Sequence, residues 1–424
     1  MSRTLLEKFL SSGVKRGRLD VTYSDGSQSS FGQPHEDFPN VAIRFTDEKV
    51  PRDIVFDPRL GAAEAFMDAR LLIEQGDIMT LIELLRSNAP WDEGKRFGKL
   101  SPLRELKNGA AFLAEQVNNR IRSQSNVAHH YDIGNDLYSL MLDEKHWQYS
   151  CAYWPRDDMT LGEAQAAKLA HIAAKLHVTA GNKILDIGCG WGGMAIYLAR
   201  HYDVRVHGIT LSAEQLDLAR KRALAAGVAE RVTFELVDYR ELPDRGETFD
   251  RIVSVGMFEH VGRPQFRAFF RACARLLNED GVMLLHTIGR FGGPGTTDAF
   301  TRKYIFPGGY IPALSETVAA SEKVRLIATD VETLRLHYAR TLRAWYANCE
   351  ANREAIVALY DERFYRMWTF YLAGATAAFE YGGLGNYQIQ YVKNRRALPI
   401  TRDWIAEAEG RLTRSATGGA ALPT

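Results

Sequence analysis

The chain has 424 residues and a formal net charge of +1; 46% of its residues are hydrophobic and 25% are charged. This length allows two or three domains, and the near balance of acidic and basic residues argues against nucleic acid as the main partner. The four cysteines lie far apart with no Cys-x-x-Cys spacing, so neither a disulfide framework nor a metal site is indicated. With no signal peptide and no apolar run long enough to span a bilayer, the sequence predicts a cytoplasmic protein that meets a membrane only at its surface.

The first hundred residues predict a small α+β domain. Residues 17–56 contain short alternating runs that predict strands, and residues 62–87 predict helix with an interruption at Gly76. Ahead of them, four apolar residues fit one face of a short helix: Leu5, Leu6, Phe9 and Leu10. This helix either packs on its own domain, the favoured interpretation, or contacts a membrane beside the basic residues that follow it. A further helix is predicted to end near Arg122, and residues 101–125 are interpreted as a helical linker.

Strand and helix patterns alternate through most of the remaining chain, which predicts a largely parallel sheet covered by helices. The runs predicted as strands are 184–187, 204–209, 232–237, 250–255, 282–286 and 387–392, and those predicted as long helices are 331–350 and 353–381. Residues 126–412 are therefore assigned to one catalytic domain. The small and polar residues 413–424 are assigned to a flexible tail.

The chain is organised around Lys183–Gly193, where a short apolar strand leads into a glycine-rich turn and then a helical pattern. In α/β sheets this arrangement places a cofactor at the carboxyl end of the strand. Gly188 and Gly190 also fit a dinucleotide fingerprint, but the acidic residue expected about 20 residues later is absent. With Asp186 two residues before the first glycine, the stretch resembles the first motif of class I S-adenosylmethionine (SAM) methyltransferases. A dinucleotide site and an ordinary βα turn remain as alternatives.

Polar side chains end the next two predicted strands. Thr210, Leu211 and Gln215 follow the second strand, where this fold usually meets a ribose. Asp238 and Tyr239 follow the third strand, where it usually meets an adenine. Such residues are often only turn formers. Their order after a SAM-type glycine loop is what favours a cofactor site.

Seven further motifs resemble those of the cyclopropane-fatty-acyl-phospholipid synthases and their relatives that modify mycolic acids. They are 126–138, 149–154, 208–215, 254–261, 285–289, 304–312 and 337–341. The resemblance is dense over residues 125–400 and looser in the N-terminal domain. The segment 370–379 departs from part of the family, because it holds no cysteine where some members carry one.

The resemblance implies a reaction at the cis double bond of a phospholipid acyl chain. The alkene attacks the methyl group of SAM, and loss of a proton from the new methyl group closes a cyclopropane ring. In this family the base is bound bicarbonate, which suits a pocket where a free carboxylate would tend to attack the cationic chain. An alternative is a methyltransferase that leaves a methyl or methylene branch or a shifted double bond. A SAM-binding lipid sensor without turnover and a small-molecule methyltransferase fit the motifs less well.

The resemblance maps the bicarbonate cage onto Cys151, Glu259, His286, Tyr338 and the backbone of Ile288. Histidine and tyrosine can donate hydrogen bonds to an oxyanion, and Glu259 can accept the bicarbonate proton. Glu259 and His286 also follow the fourth and fifth predicted strands, at the edge expected for the cofactor. Taken singly, each residue has a simpler explanation as a helix cap or a buried core side chain. The motifs taken together favour the cage.

The predicted cofactor contacts combine the glycine loop with residues that the resemblance supplies. They are Tyr149, Ser150, Asp186, Gly188, Gly190, Thr210, Leu211, Gln215, Tyr239 and His260. Aromatic faces among them suit a sulfonium.

The predicted fold class is α/β: a class I SAM-methyltransferase Rossmann-like sheet with helical insertions, plus a smaller α+β N-terminal domain. Residues 1–100 form that smaller domain, which we expect to be lipid- or membrane-associated. The expected partners are an unsaturated phospholipid and the bilayer surface at the inner face of the plasma membrane. The resemblance also implies a homodimer.

Overall fold

The computed structural model describes residues 2–94 and 134–417, with side chains up to residue 412. The helices are α1 Ser2–Gly13, α2 Val50–Phe56, α3 Pro58–Met67, α4 Ile78–Ser87, α5 Asn135–Met141, α6 Leu161–Lys175, α7 Gly193–His201, α8 Ala213–Ala225, α9 Phe266–Leu276, α10 Leu314–Glu322, α11 His337–Ala351, α12 Arg353–Leu359, α13 Glu362–Glu380 and α14 Asp403–Thr417. The strands are β1 Gly17–Thr22, β2 Gln28–Gln33, β3 Asn40–Phe45, β4 Leu71–Gln75, β5 Lys183–Ile187, β6 Arg205–Thr210, β7 Val232–Leu236, β8 Phe249–Val255, β9 Leu277–Arg290, β10 Ile327–Leu334 and β11 Leu384–Val392.

Three sequence-based predictions fall wholly or partly outside these ranges. They are the helix ending near Arg122 with the linker 101–125, the motif 126–138 before Gly134, and the tail after residue 417.

The chain forms two compact units. One contains residues 2–94 together with Thr296–Pro307 and Ala339–Leu384. The other contains residues 134–295, Gly308–Tyr338 and 385–417. The N-terminal elements therefore form a unit with α12, α13 and most of α11, which lie in the second half of the sequence.

The first unit is built on a four-stranded sheet with the order β2-β1-β3-β4. Strands β1 and β3 are parallel, and the other pairs are antiparallel. Helix α1 buries Leu6 and Leu10, whereas Leu5 is 47% exposed. The helix predicted over 62–87 is wrong at Leu71–Gln75, which forms β4. The predicted interruption at Gly76 is present, because Gly76 takes a positive φ of 87° and Asp77 caps a new helix, α4.

Helix α13 packs within this first unit against α3 and α4. Arg363 pairs with Asp68 at 2.7 Å, and Tyr346 of α11 donates to Asp77 at 3.2 Å.

The single helix predicted over 331–350 is wrong at its start, where β10 occupies the chain up to Leu334. The pattern over 353–381 is two helices, because Asp361 accepts from the Phe364 N–H and caps α13.

The second unit is built on a seven-stranded sheet with the order β10-β11-β9-β8-β5-β6-β7. Strands β5 to β9 run parallel, and β10 pairs antiparallel with β11. The predicted α/β fold with a largely parallel sheet is confirmed. The strand order reverses at β5 and β8, and ligands bind at such a reversal, outside the carboxyl ends of the strands.

Helices α6 and α7 cover one face of this sheet. Leu169 and Leu198 pack with Ile184 and Val253 in a buried apolar cluster, which fixes the direction in which β5 enters its loop. Strand β9 begins at Leu277, five residues before the strand predicted over 282–286, and continues to Arg290. Over the ranges that the structure covers, no helix combines the length and the apolar character needed to cross a bilayer.

Candidate functional site

The glycine loop after β5 is held by its own backbone. The N–H groups of Gly188 and Cys189 both donate to the Ile209 carbonyl oxygen at 2.9 Å. Gly188 has a φ of 81°, and a Cβ there would lie 2.8 Å from the Met257 side chain. Gly190 has a φ of 54°, but a Cβ there would have no neighbour within 4 Å. The loop therefore needs glycine at the first position for packing and leaves open space above the second.

Asp186 is buried just before this loop, and its Oδ2 has no hydrogen-bond partner. Burial raises the pKa of this carboxyl to about 7, and the nearby charge of Lys168 acts in the opposite direction. An unpaired buried carboxyl oxygen is costly, so the position is suited to a ligand donor.

The residues that follow β6 and β7 are paired among themselves. Thr210 Oγ1 donates to Gln215 Oε1 at 3.0 Å, next to a partly buried Leu211. Asp238 accepts from the backbone N–H of Arg240 at 2.9 Å and from its Nε at 2.8 Å. The structure places both sets at the same edge of the sheet as the glycine loop.

Two more predicted cofactor residues flank that edge. The ring of Tyr239 meets Phe269 edge to face at a centroid distance of 5.3 Å. His260 ends a short 3-10 helix after β8, and burial lowers its pKa to about 4, so the ring is neutral at pH 7.

Tyr149 and Ser150 lie in an extended segment before α6. The Tyr149 ring packs on Tyr138 at 5.1 Å, and Tyr138 packs on Trp191 of the glycine loop at 4.9 Å. Trp191 Nε1 donates to Asn135 Oδ1 at 2.8 Å. The described end of the first family motif is thus joined to the glycine loop.

Glu259 lies in the 3-10 helix after β8 and is 8% exposed. Its Oε1 accepts from the backbone N–H of Ile288 at 2.6 Å, while Oε2 has no partner within residues 2–94 and 134–412. Burial raises the pKa of this carboxyl to about 7, and the Ile288 hydrogen bond acts in the opposite direction. The Ile288 amide is therefore engaged by Glu259, and a direct contact from that amide to bicarbonate would require the two to separate.

His286 lies on β9 beside Val255 of β8 and is fully buried. Its Nδ1 faces the amide nitrogen of Gln388 at 3.2 Å, and its Nε2 meets no partner in the part of the chain that the structure describes. Burial holds the pKa of this ring well below its ordinary value, so the ring is neutral. Because an amide nitrogen can only donate, Nδ1 accepts and the proton lies on Nε2. His286 thus offers a free N–H on the same face of β9 as Ile288.

Cys151 and Tyr338 are both buried. Cys151 Sγ donates to the Ala152 carbonyl oxygen at 3.3 Å, and burial raises the pKa of the thiol, so it is not a thiolate nucleophile. Tyr338 lies in the first turn of α11. The backbone N–H of Trp154 donates to His337 Nδ1 at 2.8 Å, which ties the Cys151 segment to the start of α11.

The sequence analysis missed three buried polar residues in this region. They are Gln165, Lys168 and Gln388. A usable signal was present for the first two, since they recur three residues apart on the apolar face of a helical pattern. Gln388 gives no local signal, because its role depends on the pairing of β11 with β9.

Residues 118–389 match the family model described as mycolic acid cyclopropane synthetase, and residues 5–90 match a domain of unknown function, DUF7884. A probable fatty acid methyltransferase of Pseudomonas putida is 43% identical over 287 residues, which cover 65% of this chain and 72% of that protein. A cyclopropane-fatty-acyl-phospholipid synthase of Escherichia coli K12 is 44% identical over 262 residues, covering 62% and 66%.

The fold also matches solved structures. A crystal structure of mycolic acid cyclopropane synthase CmaA1 complexed with SAH and CTAB superposes with a TM-score of 0.60 and 36% identity. That match covers 63% of this chain and 97% of the other.

Proposed function

The chain belongs to the mycolic acid cyclopropane synthetase family, and from that premise we propose that it converts the cis double bond of a phospholipid acyl chain into a cyclopropane ring. SAM supplies the methyl group that becomes the ring carbon. The SAM-methyltransferase fold and the solved relative bound to SAH support the choice of cofactor.

One observation carries the proposal of a bicarbonate-assisted reaction. Two buried polar atoms, Glu259 Oε2 and His286 Nε2, have no partner among the described residues, and one is an acceptor while the other is a donor. A group that both donates a hydroxyl proton and presents an oxyanion suits this pair, and bicarbonate has both features. The donor set therefore fits the group that the family resemblance implies.

The roles we propose follow from that chemistry. Glu259 accepts the bicarbonate hydroxyl, its other oxygen being fixed by the Ile288 N–H, and His286 donates from Nε2. Cys151 and Tyr338 complete the wall of the cage from the joined segment and helix. When bound, bicarbonate supplies the base that removes the proton from the new methyl group. Asp186, the glycine loop and the residues after β6 and β7 hold the cofactor.

A second product type is favoured by one relative. The Pseudomonas putida protein is named a probable fatty acid methyltransferase, and this name fits a product with a methyl or methylene branch. The same methylated cation leads to each product. Loss of a proton from the new methyl group closes the ring, and the same loss after a 1,2-hydride shift to the neighbouring cationic carbon gives a methylene branch. Loss of a proton from an adjacent chain carbon gives a methyl branch beside a double bond.

The test is mass spectrometry of fatty acids after incubation with SAM and vesicles of cis-monounsaturated phospholipid, with CD3-labelled SAM in parallel. A ring retains two of the three deuteriums and resists mild hydrogenation. A methylene branch retains two and is reduced, and a methyl branch retains all three. Glu259→Ala should remove the ring product, and bicarbonate-free buffer should slow it until bicarbonate is restored. No mass gain in any arm would refute lipid methylation, and an unchanged rate without bicarbonate would refute the cage.

We propose further that the protein acts at an anionic bilayer surface and that α1 contributes to this contact. Leu5 is 47% exposed beside the exposed Lys8, and Lys15 follows the helix. Vesicle flotation tests it: Lys8→Glu with Lys15→Glu should weaken binding to anionic vesicles at least fivefold, since each cation near such a surface contributes about 1 kcal/mol. Lys221→Glu is the exposed control, and equal binding of all three proteins would refute the contact.

Point variants are preferred to deletion of residues 1–120. Such a deletion would remove α3 and α4, on which α13 packs. It would also remove Asp68 and so leave Arg363 without this ion-pair partner. The implied homodimer remains a prediction, which analytical ultracentrifugation checks.

A further inference from the structure

A buried lysine lies beneath the segment 148–151, which carries predicted cofactor and cage residues. Lys168 projects from α6 and has no exposed surface. Its Nζ donates to Ser150 Oγ at 3.0 Å and to Gln148 Oε1. Gln165, one turn earlier, donates from Nε2 to the carbonyl oxygens of Ser150 at 3.0 Å and Gln148 at 3.3 Å. Two side chains of one helix thus hold the segment through four hydrogen bonds.

The two acceptors of Lys168 contact different sides of the cofactor edge. A Cβ added to Gly193 would meet Gln148 Nε2 at 2.3 Å, so the Gln148 side chain packs directly on the first residue of α7. A Cβ added to Gly256, just after β8, would lie 3.7 Å from Ser150 Cβ. Through these acceptors, Lys168 joins the helix after the glycine loop to the end of β8.

Packing alone does not explain a lysine here. Burial lowers the pKa of Lys168 to about 7, and the carboxylates of Asp143 and Asp186 act in the opposite direction. Both hydrogen-bond acceptors are neutral, so the ammonium has no directly bonded counter-charge. An apolar side chain of the same length would fill the same volume, and such replacements of buried charges are often neutral or stabilising. What lysine provides instead is N–H groups aimed at two oxygens.

We propose that Lys168 is a positioning residue for SAM: it orients Gln148 and Ser150 and so fixes the segment 148–151 against the glycine loop, in the geometry that receives the methionyl end of the cofactor. The inference rests on the proposed SAM-dependent function. Gln165 serves the same segment by holding its carbonyl oxygens. Because the segment ends at Cys151, one lysine fixes a cofactor contact and a wall of the cage together.

The test is a double-mutant cycle measured as SAH affinity by titration calorimetry. Lys168→Met should weaken SAH binding at least tenfold while the protein stays folded at the assay temperature. The KM for SAM should rise at least tenfold, with a smaller change in kcat and an unchanged KM for lipid. In the Ser150→Ala background, Lys168→Met should weaken SAH binding by a clearly smaller factor than in the unmodified protein, because one of its two acceptors is already gone. Lys221→Met, at an exposed position on α8, is the matched control.

Several outcomes would overturn the proposal. One is an SAH affinity of Lys168→Met within twofold of the unmodified protein. Another is a double variant whose loss of SAH affinity equals the product of the two single losses. A third is a lower melting temperature with an unchanged KM for SAM. If Lys168→Met does not fold, the same cycle is read with Lys168→Gln, which keeps a shorter donor and should lose less affinity. A protein that binds SAH but forms no lipid product refutes the lipid reaction alone. A protein that does not bind SAH refutes both proposals.

Discussion

The carboxyl edge of the seven-stranded sheet has two halves that differ in how their polar side chains are satisfied. After β6 and β7, polar groups are paired with each other, as in Thr210 with Gln215. After β8 and along β9, Glu259 Oε2 and His286 Nε2 are buried without partners. In the first half, the polar groups find their hydrogen-bond partners within the protein. In the second half, they find partners only when a bound ligand donates one hydrogen bond and accepts another.

This difference indicates two modes of binding. A buried polar atom without a partner costs about 1 to 3 kcal/mol, so a site that keeps two of them gives up stability until its ligand arrives. The cofactor half keeps one such atom, Asp186 Oδ2, and otherwise offers shape, through the space above Gly190 that no residue of the described ranges fills. We therefore infer that cofactor binding depends on backbone shape and that the base depends on a few side-chain atoms.

The largest effect is expected from substitution of His286, which lies in the half with unpartnered atoms. His286→Asn removes the donor at the Nε2 position, whereas His286→Gln can place an amide N–H near it. We expect His286→Asn to lower the rate of product formation at least 100-fold, as loss of one oxyanion donor does, and His286→Gln to retain rates within about tenfold. Steady-state kinetics with vesicles measures this, with SAH affinity as the control that should stay within threefold.

Equal losses in both variants would show that the ring itself, and not its Nε2 donor, is what matters. A parallel loss of SAH affinity would show that the two halves are not separate.

The next effect tests the half that depends on shape. Gly190→Ala and Gly227→Ala both place an alanine at a positive φ, 54° and 69°, with no neighbour within 4 Å. Both should cost about 1 kcal/mol of folding stability through backbone strain. Only Gly190→Ala should weaken SAH binding, by about 30-fold, because its methyl group enters the space proposed for the cofactor. Thermal melts and calorimetry on the pair separate strain from occupancy, and an SAH affinity equal in both variants would contradict the assignment.

Much of the cofactor half could be predicted from sequence because its signals are local. Within 183–193 the sequence patterns of a strand, a glycine turn and a helix start follow one another directly. The polar residues that end β6 and β7 come next in order. The base half is different. The strand pattern placed Glu259 and His286 at the cofactor edge, but only the family resemblance identified them as partners, since the pairing of β8 with β9 is not a local signal.

The errors have the same origin. β4 lies between two helices and is only five residues long, so helical periodicity could be traced through it. In β10, Val331 and Leu334 are three residues apart, which fits a helix as well as a strand. The engagement of the Ile288 amide by Glu259 and the tautomer set by Gln388 depend on side chains meeting across strands, and no local pattern contains that information.

A smaller effect is expected on product formation when the pH is lowered. Because burial raises the pKa of Glu259 to about 7, its carboxylate form is depleted below that pH. A carboxyl that must accept a proton then works less well, so we expect product formation to fall about tenfold per pH unit below 7. SAH affinity has a pH dependence of its own through Asp186, whose pKa burial also raises to about 7, so Glu259→Gln serves as the control. This variant should form less product at every pH while the pH profile of SAH affinity stays unchanged, and an altered SAH profile would contradict the separation.

The same carboxyl should be visible in folding stability. A raised pKa means that the folded state holds the proton more tightly than the unfolded state, so stability is lost as pH rises from the ordinary value of 4.5 through about 7. Glu259→Gln removes this penalty. The free energy of unfolding of Glu259→Gln minus that of the unmodified protein should therefore be about 2 kcal/mol larger at pH 8 than at pH 5. Denaturant titrations at the two pH values check this, and an equal difference at both would show that Glu259 does not titrate in this range.

The smallest expected effect lies at Thr210, because the cofactor half has little to lose from one side chain. Thr210→Val keeps the shape and removes the hydroxyl that donates to Gln215 at 3.0 Å. A net hydrogen bond contributes about 1 kcal/mol, so SAH affinity should fall about threefold and folding stability by a similar free energy. Calorimetry and thermal melts measure both, with Thr233→Val, an exposed position in β7, as control. A loss of 100-fold in affinity would mean that the hydroxyl itself holds the cofactor, and the cofactor half would then depend on single atoms as the base half does.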